Sequence, residues 1–197
     1  MEIEKLLEKD ATECTISPEF LKEVKEALKG SITDGKYVAF WGSVFSNFFP
    51  CHFTLDGKVW TTSEKYFMYI KAITFGDEET AEKIYKQDDP RKIKELGRKV
   101  KNYDDNVWDE VREDIMYKAV KAKFEQDGLC NYCMLEYPDE TFIEGSPYDR
   151  IWGVGIQYTN PHVFKEEFWQ GKNLLGKILT RVRDEIIKSN LEACQQE

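Results

Sequence analysis

Histidine is nearly absent from this chain: its 197 residues hold two, His52 and His162, far apart and in neither HxxxH nor HxH spacing. A three-ligand catalytic zinc site or a Ser-His-Asp relay would have to use one of them alone. Any catalysis therefore has to run on carboxylates, lysines, tyrosines and binding geometry. His52 lies in the alternating stretch CHFTLDGKVW and reads as an outward strand residue. Cysteine is scarce as well. Cys14, Cys51, Cys130, Cys133 and Cys194 make an odd count, which fits reduced thiols in a cytosol. Cys130 and Cys133 form a CxxC, but no second pair and no thioredoxin-like setting accompany it, so it is a weak signal for zinc or redox chemistry. No metal and no cofactor is expected.

Long apolar runs are missing too. Nothing approaches the ~20 residues that cross a bilayer, and the charged start MEIEKLLEKDATEC does not resemble a signal peptide. A cytoplasmic protein without a membrane partner is the expectation. Positive charge is in deficit, with 28 basic against 37 acidic residues and a net charge of −9. Nucleic-acid affinity rests on neutralising phosphates, so stable binding to such a polymer is not expected, although a local basic pocket is compatible with this balance. What is present is 41% hydrophobic residues, enough for one domain with a real core.

The periodicities divide the chain into an α+β pattern. SPEFLKEVKEALKG carries Ser17 as N-cap, Pro18 at the first helical position and Gly30 as the stop, with Phe20, Leu21, Val24 and Leu28 on one face. YVAFW and HFTLDGKVW read as strands, and Asp56-Gly57 as a hairpin turn. Helices are expected from Glu64 to Thr74, over EETAEKIYKQ and over PRKIKELGR. The long DDNVWDEVREDIMYKAVKAKFEQ buries Trp108, Val111, Ile115, Ala119 and Ala122. TFIEGSPYDRIWGVGI reads as strand, loop, strand. The last helix turns Leu175, Leu179, Val182 and Ile186 inward. The expectation is a single mainly helical domain around a small sheet over residues 37–190. A helical extension, 1–36, precedes it and a tail, 191–197, follows.

The stretch TTSEKYFMYIK raises the chemical question. Thr61-x-x-Glu64 matches a capping box, which accounts for the acid but not for the aromatics behind it. Glu64, Phe67 and Lys71 share one helical face, and the helix dipole should favour the ionised form of Glu64. Asp149, in the loop EGSPYDRIWGVG, is the second candidate carboxylate, set either for a site or for a turn. Glu144 is a lesser one. Trp152 beside Gly153, and Trp169 beside Gln170-Gly171-Lys172-Asn173, pair aromatics with glycine and polar groups, a composition suited to stacking on a planar ring. Lys172 and Asn173 stand at the start of the last helix, where free N–H groups favour an anion such as phosphate.

Six stretches, in order, resemble the YbiA-like or NADAR family: FSNFFP, GKVWTTSEKYFMYIKA, ELGR, VWDEVREDIMYKAVKAKFEQ, EGSPYDRIWGVG and GKNLLGKILTRVR. The resemblance runs from about Tyr37 to Glu185. It implies a compact α+β fold and N-glycosidase activity toward riboflavin-pathway intermediates or ADP-ribosylated guanine. The family's essential glutamate falls on Glu64, its downstream lysine on Lys71 and its tryptophan before the long helix on Trp108. Its Asp-x-x-Trp-Gly falls on Asp149, Trp152 and Gly153. Its pocket motifs fall on Ser46, Asn47 and Phe48 and on Gly171, Lys172 and Asn173. Lys65, Met68 and Ile70 stand where the family often has His and two Gln, which bears on substrate identity. The expectation is a small phosphorylated ribosyl substrate or an ADP-ribosylated nucleobase. Glu64, Asp149 and Lys71 would be catalytic, Trp108 or Trp152 would stack on the base, and Arg98 with Lys172 would meet phosphate. The rival readings are a non-catalytic NAD- or ADP-ribose-binding module and an interaction protein working through the Ser17–Gly30 helix.

Overall fold

A computed structural model describes residues 16–195. Cys14 and the rest of the first fifteen residues lie outside the described residues, as do the last two. Seven α-helices and five short strands are formed among the described residues. Helix α1, Pro18–Ala27, starts on Ser17, whose hydroxyl accepts the Phe20 N–H at 3.1 Å. Val24 and Ala27 are its buried residues, and Phe20 packs edge-on against Tyr132 at 5.3 Å. Leu21, expected on the inner face, is 41% exposed, because the helix lays only a narrow edge on the domain.

Strand β1, Ser31–Thr33, runs antiparallel to β2, Tyr37–Phe40, and β2 runs parallel to β5, Thr141–Glu144. The expected division at 36/37 thus falls inside one sheet. All four β2 residues are buried, and the pleat sends them alternately to two cores. Val38 and Phe40 join the main cluster; Tyr37 and Ala39 join Ile143, Val154, Ile156 and Val163 on the other face.

The parallel β2–β5 pair requires a long crossover, and a hairpin and five of the helices lie within it. A hairpin of β3, Phe53–Leu55, and β4, Lys58–Trp60, turns on Asp56 and Gly57, both at positive φ. Helices α2, Ser63–Thr74, α3, Glu78–Tyr85, α4, Pro90–Gly97, and α5, Asp105–Gln126, follow, with α2 packed against the other three. Helix α6, Gly128–Leu135, had no counterpart in the sequence reading. Asp127 ends α5 and caps α6 by accepting the Cys130 N–H, which buries Cys130, Cys133 and Met134. Helix α7, Leu174–Cys194, packs on β5 and α5 and carries the chain into the expected tail.

The second strand expected after SPYD does not form. Residues 145–173 instead fold as a loop containing two short 3-10 turns, Pro161–Phe164 and Glu166–Phe168, pinned by backbone bonds such as Val154 N–H to the Glu144 carbonyl at 3.0 Å. Backbones approach so closely here that a Cβ on Gly171 would lie 2.2 Å from the Gly153 oxygen. Among the described residues, no helix is long and apolar enough to cross a membrane.

Candidate active site

The start of α2 is built differently from a capping box. Thr62, not Thr61, is the N-cap, its hydroxyl accepting the Lys65 N–H at 3.1 Å. The Glu64 N–H donates to the Asn47 carbonyl at 3.0 Å, and its carboxyl caps nothing. Glu64 is 4% exposed, and its Oε1 has no hydrogen-bond partner among the described residues. Burial pushes this carboxyl up to about 7; Lys94 opposes the rise, Asp149 adds to it, and Arg98 and Lys71 oppose it more weakly. Desolvation therefore outweighs the dipole that was expected to keep Glu64 ionised.

The loop that receives Glu64 is itself anchored from below. Lys123 of α5, 1% exposed, donates to the Val44 carbonyl at 2.5 Å and the Ser46 carbonyl at 3.0 Å. Ser46 and Asn47 are buried, and the Ser46 hydroxyl accepts the Phe48 N–H.

Glu64 lines an inner cavity of about 270 Å³ together with Lys71, Asp149, Phe67, Trp108 and Trp152. Phe67 stacks obliquely on Trp108 at 4.9 Å and meets Trp152 edge-on at 5.3 Å. The Lys71 ammonium lies 4.0 Å from the centre of the Tyr103 ring and 5.8 Å from that of Trp108. Burial lowers its pKa, against the pull of Asp105 and Glu64. Asp149 Oδ1 accepts the N–H groups of Ile151 and Trp152, at 2.9 and 2.8 Å, which sets the loop that carries the indole. So Asp149 makes a turn and lines the cavity as well.

A larger cavity of about 850 Å³ adjoins the first, and Lys94, Arg98, Asp149 and Ile151 line both. Its walls include Ser46, Phe48 and Glu144, with Arg91 and Arg150 adding positive charge. Trp41 and Tyr148, 43% and 87% exposed, meet on its lining with ring centres 6.3 Å apart. Glu144 matters more here than the sequence indicated. Its Oε2 is buried without a partner among the described residues, and burial pushes the carboxyl up to about 8, with Asp149 adding to the rise, Lys94 opposing it and Glu64 adding again.

Other residues singled out from sequence serve elsewhere. Lys172 is exposed and lines neither cavity. Asn173 is buried at φ 52°; its Oδ1 accepts the Glu144 N–H and its Nδ2 donates to the Phe142 carbonyl, both at 3.0 Å. The start of α7 thus holds the end of β5 rather than opening onto a cavity. Gly153 is buried beneath the loop, where a Cβ would lie 2.8 Å from the Glu144 oxygen. Sequence reading passed over Lys94, although its i, i+4 spacing to Arg98 was a usable signal. It also passed over Arg112, a buried guanidinium on the inner cavity whose Nε has no partner among the described residues. Cys130 and Cys133 are buried on α6 with their thiols pushed up by desolvation, Cys133 to about 12. No group of three or more metal-ligating side chains comes together among the described residues.

Comparison with known proteins bears on the family and the fold. The NADAR domain model matches residues 39–187. N-glycosidase R617 of Acanthamoeba polyphaga mimivirus is 37% identical over 163 residues, covering 76% of this chain and 96% of that protein. N-glycosidase YbiA of Escherichia coli is 32% identical over 142 residues, covering 72% and 80%. Its NMR structure superposes with a TM-score of 0.67 at 29% identity, over 86% of this chain and 95% of YbiA. Riboflavin biosynthesis protein VVA0006 of Vibrio vulnificus is 30% identical over 141 residues, which span 72% of this chain but 35% of that longer protein. With the family model covering most of its length, and R617 and YbiA matched along most of theirs, this chain belongs to the NADAR family.

Proposed function

We propose that this protein is an N-glycosidase that hydrolyses a ribosyl C–N bond in a phosphorylated, nucleotide-like substrate. Its relatives R617 and YbiA are named N-glycosidases. The observation that carries the reading is buried Glu64, whose Oε1 has no partner among the described residues, on a cavity it shares with Lys71 and Asp149. A polar atom left unpaired in an interior costs stability, and such a cost is typical of a group kept for a ligand.

Cleavage leaves positive charge on the sugar and a pair of electrons on the departing nitrogen. The small inner cavity suits the ribose. There, ionised Glu64 orients the attacking water and stabilises the sugar cation, and the rings of Trp108 and Trp152 lie against the same charge. Asp149 clamps a ribose hydroxyl. Base and phosphate extend into the larger cavity, where Phe48, Trp41 and Tyr148 offer stacking faces and Arg91, Lys94 and Arg98 offer cations. An ADP-ribosylated guanine and a riboflavin-pathway ribosylaminopyrimidine phosphate both meet this description, the second in keeping with the name of VVA0006.

Lys71 supports a covalent variant of the same chemistry. Its ammonium is half-buried with a lowered pKa, which favours an amine that adds to C1′ of the ring-opened sugar as a Schiff-base nucleophile and displaces the base, water then releasing the sugar from the lysine. Borohydride added during turnover separates the two routes: a trapped enzyme–sugar adduct that disappears in Lys71→Ala marks the covalent one, and an active enzyme that traps nothing marks direct attack by water.

The deciding experiment incubates the protein with both substrate classes and identifies released base by mass spectrometry, with Glu64→Gln in parallel. Release by the natural protein and its loss in the variant support the proposal. Tight binding by calorimetry without release of base would leave a binding module instead.

A further inference from the structure

Resting on the N-glycosidase reading, we infer that Glu144 is a further catalytic residue, the acid that protonates the departing base, acting as a pair with Glu64 across the junction of the two cavities. Sequence pattern and resemblance pointed to Asp149 as the partner of Glu64. The geometry favours Glu144.

Its main chain is held on both sides: the N–H donates to Asn173 Oδ1 and the carbonyl accepts the Val154 N–H, each at 3.0 Å. The side chain springs from this fixed point at the end of β5 onto the larger cavity, which shares Lys94, Arg98, Asp149 and Ile151 with the inner cavity that Glu64 lines. Asp149, by contrast, has Oδ1 committed to two backbone N–H groups as an acceptor. That oxygen is already occupied in holding the loop that carries Trp152. Glu144 Oε2 accepts nothing and is shut off from water.

The surrounding charges decide which acid keeps the proton. Glu64 comes from α2, Asp149 and Arg150 from the loop after β5, Arg91 and Lys94 from α4, and Arg98 from the cap at the end of α4. Asp149 raises the proton affinity of both glutamates and Glu64 adds to that of Glu144, so the pair holds one proton near neutral pH rather than none. Glu144, where only Lys94 opposes the effect of burial, keeps the proton, and Glu64, opposed by Lys94, Arg98 and Lys71, is the ionised partner.

The step balances. The C1′–N bond breaks, its electron pair passes to the base nitrogen, and that nitrogen takes the Glu144 proton. Water adds its oxygen to C1′ and yields a proton to Glu64. Passage of that proton to Glu144 restores the starting state, so the net reaction is addition of one water across the bond.

The test follows kcat and kcat/KM against pH for the natural protein, Glu144→Gln and Glu144→Asp, on whichever of the two substrate classes releases base. For the natural protein the rate should fall on the alkaline side as Glu144 loses its proton. In Glu144→Gln, kcat should drop roughly 100-fold to 10,000-fold, the range for a lost general acid, with KM little changed and the alkaline fall gone. Glu144→Asp should keep the alkaline fall at a reduced rate. The proposal is overturned by a natural protein whose rate is level through about pH 9, a reading that needs no variant to fold. It is equally overturned by a Glu144→Gln that turns over normally or keeps the alkaline fall. Absence of any release by the natural protein would instead remove the N-glycosidase reading itself.

Discussion

Replacing Glu64 by Gln should stabilise the protein in alkaline solution while abolishing its turnover. The Glu64 carboxyl ionises near 4.5 when exposed and near 7 in the fold, chiefly because burial strips its water. At acid pH it is protonated in both states. As the pH passes 4.5 the unfolded chain ionises while the fold still holds the proton, so stability falls; above 7 both states are ionised and the loss is complete. A rise from 4.5 to about 7, at about 1.4 kcal/mol for each tenfold in proton affinity, makes that loss about 3 kcal/mol. Gln keeps the shape and cannot ionise. Urea unfolding at about pH 4 and about pH 8.5 should therefore show the natural protein losing about 3 kcal/mol more than Glu64→Gln between the two. Glu144 titrates in the same sense, but it is present in both proteins and largely cancels. Parallel pH curves for the two proteins would refute the reasoning, since they would mean that the Glu64 carboxyl is solvated and that its burial is not what sets its chemistry.

Three further outcomes are expected. Asn173→Ala leaves the Glu144 N–H and the Phe142 carbonyl unpaired in the interior, and it should cost roughly 3 kcal/mol in urea unfolding and lower kcat by loosening Glu144. Gly171→Ala would drive a Cβ to 2.2 Å from the Gly153 oxygen and 2.8 Å from the Arg150 Cα; backbone on both sides cannot yield cheaply, so a loss of about 3 kcal/mol and a fall in kcat/KM should appear together. In a Cys14→Ser variant, a chromogenic disulfide reagent should label the exposed Cys194 promptly. It should reach the buried Cys51, Cys130 and Cys133 only after unfolding, because burial raises all three thiols. Prompt native labelling of Cys130 or Cys133 would reopen a redox role for that pair.

Much of the architecture was legible from local pattern. The Ser17 cap, the Asp56-Gly57 turn and the apolar stripes of α5 and α7 depend on interactions within a few residues, and those are written in order along the chain. Patterns with competing local meanings were less reliable. GLCNYCML signalled a thiol motif before it signalled a helix, and its helix rests on Asp127 as a cap shared with α5. WGVGI alternates like a strand, but its main chain is taken up by Glu144, Gln170, Asn173 and Leu175, which only the folded loop brings alongside.

The chemistry divides in the same way. By itself the chain determined that Glu64 and Lys71 share one helical face behind an aromatic run, because a helix sets that spacing. It could not determine the ionisation of Glu64, which depends on how completely distant segments exclude water. Nor could it bring Glu144, eighty positions further on, to the neighbouring wall, or divert Asn173 from an anion site to hold that strand end in place. Helix spacing is a property of neighbours along the backbone, whereas desolvation and charge pairing belong to whatever the tertiary structure gathers around a group.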